Sequence, residues 1–121
     1  MKNLIVALGL AGLLVGCVST PGPLYQWGSY PQQNYLMYSQ PQKATPGAQI
    51  IKLEAEVEKA KAKGLAVPPG LYAHLGLMYL HENQFARAAT YFELERQVYP
   101  ESSVLMNRLL EKMTTQAGQS K

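Results

Sequence analysis

The stretch LYAHLGLMYLHENQFARAATYFELERQVYP, Leu71 to Pro100, decides the fold. Tyr72, Leu75, Gly76 and Tyr79 recur at helical spacing, and after a polar break Phe85, Ala88 and Phe92 do so again. Gly76 and Ala88 are small enough to let two helices approach, while Leu75, Tyr79, Phe85 and Phe92 have the bulk to fill the space around the contact. Asn83 tolerates the left-handed backbone conformation that a tight turn needs. The pattern predicts helices over residues 71–82 and 86–99, folded back on each other and closed by Pro100.

This pattern resembles a single tetratricopeptide repeat, with the small and aromatic residues of both helices in place. It departs from the repeat at Glu95, where another alanine is usual. A carboxylate there is costly to bury unpaired, so either the next helix packs irregularly or Arg108 or another base meets it. A lone repeat cannot bury both of its faces. Leu77 and Leu80 occupy positions that face the concave groove in arrays of such repeats, which implies a cover. The two candidates are the helix upstream and the tyrosine-rich strip before it.

Upstream, Thr45 is a capping residue and Pro46 is suited to the first helical position. Ile50, Leu53, Val57 and Ala60 follow at helical spacing, and Gly64 is placed to end the helix. Glu56 with Lys59 and Glu58 with Lys61 form spaced ion pairs, read as a solvated face. Residues 65–70, with Pro68 and Pro69, make a stiff connector. Downstream, Ser102 or Ser103 caps a last helix whose apolar side is Leu105, Leu109, Leu110 and Met113. The tail beyond Thr115 is expected to fray.

The fold class is therefore all-α: a small helical domain built on one hairpin with flanking helices. The expected divisions are a signal peptide at 1–16, a lipidated N-terminus and aromatic linker at 17–45, the helical domain at 46–116 and a flexible tail at 117–121.

Residues 18–42 carry no charge, yet hold four of the eight tyrosines and the only tryptophan. Prolines at 21, 23, 31 and 41 and glycines at 22 and 28 forbid one continuous helix, so 24–30 should be extended or turning. Tyr35, Leu36, Met37 and Tyr38 suit one short helical turn or strand. Such aromatic density implies burial, against the protein's own helices, a partner or the membrane surface. Tyr25, Trp27, Tyr30, Tyr35 and Tyr38, with Leu77 and Leu80, are the candidate partner-binding residues.

At the start, Met1-Lys2-Asn3 is followed by the apolar run Leu4 to Val15, shorter than the roughly 20 residues of a membrane-spanning helix. Leu14-Val15-Gly16-Cys17 resembles the bacterial lipobox and ends on the chain's one cysteine. The resemblance implies cleavage before Cys17 and acylation of its thiol and new amine, a nearly permanent anchor. With Val18 and Ser19 following, no aspartate stands where the inner-membrane retention signal would. The expected address is the periplasmic face of the outer membrane.

The 47% hydrophobic content suffices for a core even with the leader set aside. A net charge of +3, with no basic patch interleaved with aromatics, argues against nucleic acid. All eight acidic residues are glutamates, so no Ser/His/Asp triad exists, and no glycine-rich phosphate loop is present. His74 and His81 return to nearly one helix face but lack a third protein ligand, and read as half-exposed surface histidines. Glu93 and Glu95 fall on different faces. No catalytic residue, metal or cofactor is expected, and the chain reads as no enzyme.

Beyond these motifs, the chain resembles a domain-of-unknown-function group of short bacterial lipoproteins. The resemblance rests on the lipobox, on Leu24 to Tyr30, on Pro68 to Gly76 and on Tyr99-Pro100-Glu101-Ser102. Members are commonly encoded beside a curli-secretion-channel-like lipoprotein and a third small lipoprotein. That neighbourhood implies a role in envelope assembly or export, with the channel-like lipoprotein as a partner, and carries no established activity. Two function classes follow: a noncatalytic adaptor, and a cell-wall or polysaccharide-binding lipoprotein that stacks Tyr25, Trp27 and Tyr30 on sugars.

Overall fold

The computed structural model describes residues 19–119. Five helices follow in order: α1 (Tyr30–Ser39), α2 (Pro46–Lys63), α3 (Leu71–His81), α4 (Phe85–Val98) and α5 (Ser103–Gln119), with 3-10 turns at Pro41–Lys43 and Pro100–Ser102. No strand occurs among the described residues, and the all-α class holds.

Local chemistry sets each boundary. The Thr45 hydroxyl accepts from the Ala48 N–H at the head of α2, and Pro46 holds the first helical position. At its end Gly64 turns left-handed at φ 63°, so that Leu65 N–H reaches back to Ala60 O at 3.0 Å. The same closure ends α3 through Asn83, at φ 57°, with Gln84 N–H on Tyr79 O at 2.9 Å. Glycine's place at such a turn is taken by asparagine, the residue best able to tolerate it.

The hairpin α3–α4 is the centre of the core. Leu75, Tyr79, Ala88 and Phe92 are fully buried, and α2 lays Ile50, Leu53, Val57 and Ala60 against them. A Cβ placed on Gly76 would stand 2.4 Å from the Phe92 ring, so the close approach there requires glycine. Phe85, expected in this contact, is 41% exposed instead. It begins α4, one turn before the helices meet closely enough to cover it.

On α5 the buried residues are Met106 and Met113, with Leu109 and Leu110 partly covered, whereas Leu105 is exposed. Three of the four expected residues thus face the core, and Met106 takes the place expected of Leu105. It also continues to Gln119, past the predicted fraying point at Thr115 and across the 116/117 boundary.

Two segments ahead of α2 belong to this packed body. Leu24 O accepts from Ala66 N–H at 3.1 Å and Gln26 N–H donates to Ala66 O at 2.9 Å, a short parallel bridge to the connector before α3. The anticipated single turn around Tyr35 is in fact the ten-residue α1, begun by Pro31 in its first turn. Proline ends a helix that is already running but suits one that is starting, so its position and not its presence matters.

Candidate functional site

The segment from Leu24 to Ser39 is half docked and half presented. α1 buries Tyr30 and Gln33 and rests Met37 against the core, while Tyr35 and Tyr38 on its outward side are 67% and 86% exposed. Before the helix, Trp27 stacks near-parallel on Tyr30 with ring centroids 6.5 Å apart, and Tyr25 meets Trp27 edge-on at 5.8 Å. Trp27 remains 47% exposed and Leu24 68%. Tyr30 is a core residue whose ring edge meets His74 at 5.8 Å. The five aromatics thus form no single binding face.

A carboxylate holds the strip in place. Glu56, read from the sequence as part of a solvated face, is 4% exposed. Its carboxylate accepts from Gln26 Nε2 at 3.1 Å, from Ser29 N–H at 3.2 Å, from Ser29 Oγ at 3.0 Å and from Lys59 Nζ at 3.2 Å. Burial alone would raise its pKa. The hydrogen bonds from Gln26, Ser29 and Lys59 outweigh that and hold it below 4.5. Gly28 makes the approach possible: it sits at φ 45°, and a Cβ there would overlap the carboxylate at 2.0 Å. Glu58 and Lys61 do pair in solvent, at 2.8 Å.

Two further buried polar groups fix the interior. Glu95 is met by no base: its two oxygens accept from Gly70 N–H at 2.7 Å and Ala73 N–H at 3.3 Å, capping α3 from α4. His74 is buried, not half-exposed. Its Nε2 lies 2.5 Å from Gln49 Oε1, and Gln49 Nε2 donates to Ala44 O at 2.8 Å. With the amide so oriented, the His74 Nε2 must carry the hydrogen, and burial lowers the ring's pKa from 6.5. His81 is exposed, and no metal-ligating cluster occurs among the described residues.

Leu80 packs against the core and Leu77 is 36% exposed. Beyond its hairpin partner α4, α3 is covered chiefly by α2.

A cleft of about 530 Å³ lies between α2, α3 and α4 and is lined by Glu54, Lys61, Tyr72, Arg87 and Tyr91 among others. Its charged groups and Tyr91 are already engaged, Glu58 with Lys61 and the rest through Glu54 and Tyr79. Glu54 Oε1 accepts from Tyr79 Oη at 2.5 Å and Tyr91 Oη at 2.9 Å, and Arg87 donates to Tyr79 Oη at 2.9 Å. Burial, then the neighbouring Glu54, pushes the Tyr91 phenol up. Cys17, the expected lipid-attachment residue, lies outside the described residues.

Sequence reasoning missed the clasp at Glu56 and the Gln49–His74 pair, although a signal existed. At 100° per residue, Gln49, Leu53, Glu56 and Ala60 fall on one line of α2, so two polar residues stand inside the buried stripe.

A family model described as "Domain of unknown function (DUF4810)" matches residues 24–109. The match begins at the strip and ends within α5, so one family model spans both the strip and the helices. No curated protein and no solved structure matches the chain.

Proposed function

We propose that this chain, which belongs to the family described as Domain of unknown function (DUF4810), is a lipid-anchored lipoprotein of the outer membrane's periplasmic face that works as a noncatalytic adaptor in an envelope assembly or export complex. The observation that carries the reading is the outward face of α1. Tyr35 and Tyr38 stand exposed on a helix without a charged residue, while its inner face is fixed to the core. Rigid, amphipathic aromatics held in this way make contact area at small entropic cost, which is how protein partners are bound. The lipobox at Cys17 supplies the anchor, and the family's gene neighbourhood favours a curli-secretion-channel-like lipoprotein as partner.

Sugar stacking by Tyr25, Trp27 and Tyr30 draws less support, because Tyr30 is in the core and one face of Trp27 is already against it. The cleft's paired carboxylates and cations favour no catalytic role.

Two measurements test the proposal. Intact mass of the membrane-extracted protein should lack residues 1–16 and gain acyl mass on Cys17; a full-length, unacylated mass refutes the anchor. The doubly substituted Tyr35→Ser, Tyr38→Ser chain should fold normally and lose the envelope protein that co-purifies with the parent. Retention of that protein by the variant, or binding to purified peptidoglycan instead, refutes the adaptor.

A further inference from the structure

We infer that the face formed by Leu24, Trp27 and the lysine row of α2 seats the domain on an anionic phospholipid surface. Resting on the anchor reading above, the inference makes the tether short and the domain oriented, with α1's aromatic face left for the partner.

Chain length confines the strip to the membrane's neighbourhood. From Cys17 to Leu24 are seven residue steps, which span at most roughly 25 Å when fully extended. Pro21, Gly22 and Pro23 lie within that stretch. An acyl anchor at Cys17 therefore keeps Leu24 within that reach of the headgroups. Leu24 and Trp27 are also the most exposed apolar groups at the point where the chain enters the fold, at 68% and 47%. Tryptophan beside tyrosine is the pairing that settles at a membrane–water interface, with the ring body apolar and the N–H wet.

The charge beside them has the complementary sign. Lys52, Lys59 and Lys63 fall within roughly 40° of one another around α2, at 100° per residue, and all three are exposed. The strip lies along this edge. Lys63 Nζ donates to Gln26 Oε1 at 3.0 Å, and Lys59 reaches the Glu56 carboxylate that holds Gln26 and Ser29. Glu56, the acidic residue next to the row, is buried beneath the strip and already met by four donors, so the face presents net positive charge. The other acids of α2, Glu54 and Glu58, lie on the far side with the cleft. Lysines next to an anchored chain bind anionic headgroups cooperatively with it, and each is lost to screening by salt.

The test uses the full acylated protein in vesicles of phosphatidylcholine alone and of phosphatidylcholine mixed equally with phosphatidylglycerol. Trp27, the one tryptophan, reports through acrylamide quenching. Expected is shielding on the phosphatidylglycerol vesicles that disappears at high salt. The ratio of seated to free protein should fall roughly fivefold for each of Lys52→Gln and Lys63→Gln. Helical circular dichroism of those variants should match the parent, and the salt arm needs no variant at all. Equal quenching on both vesicles, or shielding indifferent to salt, overturns the seat while acyl mass on Cys17 leaves the anchor standing. A missing acyl mass fails the anchor first, and the two failures are thereby distinct.

Discussion

Glu95 on α4 and Gly70 at the head of α3 stand 2.7 Å apart, carboxylate oxygen to backbone N–H. The second carboxylate oxygen takes Ala73 N–H, so one side chain satisfies two of the donors that the start of α3 leaves open. Gly70, at φ 90°, offers no side chain that could do this itself. The negative charge also lies at the positive end of the helix dipole, which is why a buried glutamate is tolerated without a basic partner.

Glu95→Ala should therefore cost about 2 to 4 kcal/mol, from two orphaned N–H groups and the cavity left behind. Glu95→Gln keeps one acceptor but turns an amide N–H toward a backbone N–H, and should fall between the two. Urea denaturation of the three proteins checks the order.

Gly28→Ala should detach the strip. Its methyl would overlap the Glu56 carboxylate, which must then leave Gln26 and Ser29. The expected result is a red-shifted Trp27 emission and a stability loss of about 2 kcal/mol. Gly22→Ala, with nothing within 4 Å of the new methyl, is the matched control and should change neither reading.

Gly76→Ala should destabilise the hairpin by about 1 to 3 kcal/mol, because the Phe92 ring at 2.4 Å has to move within a packed core. The companion Phe92→Leu should relieve that clash, so the double variant should melt above the sum of the two single losses.

How much of this was legible in the sequence depends on what kind of force placed each residue. Apolar periodicity and caps gave the edges of α2, α3 and α4 to within a residue or so, since Thr45, Gly64 and Asn83 act locally. The same periodicity failed for Phe85 and Leu105, which lie at helix starts where spacing alone does not say how far the partner helix reaches. Charge patterns misled most. Glu56 and Lys59 are spaced as a surface pair, and only the tertiary approach of Gly28 and Ser29, nearly thirty residues earlier, turns the pair into a clasp. For Glu95 the sequence revealed the anomaly and not its answer, because a backbone N–H leaves no trace in a string of side chains. The exposed aromatics were legible as a group, but their split between Tyr30 inside and Tyr35 and Tyr38 outside required knowing that Pro31 begins a helix.

The last prediction concerns acid. His74 hydrogen-bonds Gln49 from its Nε2, and burial holds its pKa below the ordinary 6.5. A neutral ring in the fold and a protonatable one in the unfolded chain mean that the unfolded state binds the extra proton. Its contribution is therefore fully present above pH 6.5 and is lost as the pH falls from there through the lowered folded value. The slope is at most about 1.4 kcal/mol per pH unit, one proton's worth. Glu56 acts in a separate window. Its carboxyl is held below 4.5 in the fold, so its stabilisation is complete above that value and lost below it. Between pH 7 and pH 5 the parent protein should thus weaken, and His74→Gln, which keeps a donor toward Gln49 but cannot titrate, should show a nearly flat profile over that range. Denaturant midpoints at half-unit steps decide the matter. A parent profile as flat as the variant's would place His74 in contact with water and undo the assignment of its buried, Nε2-protonated form.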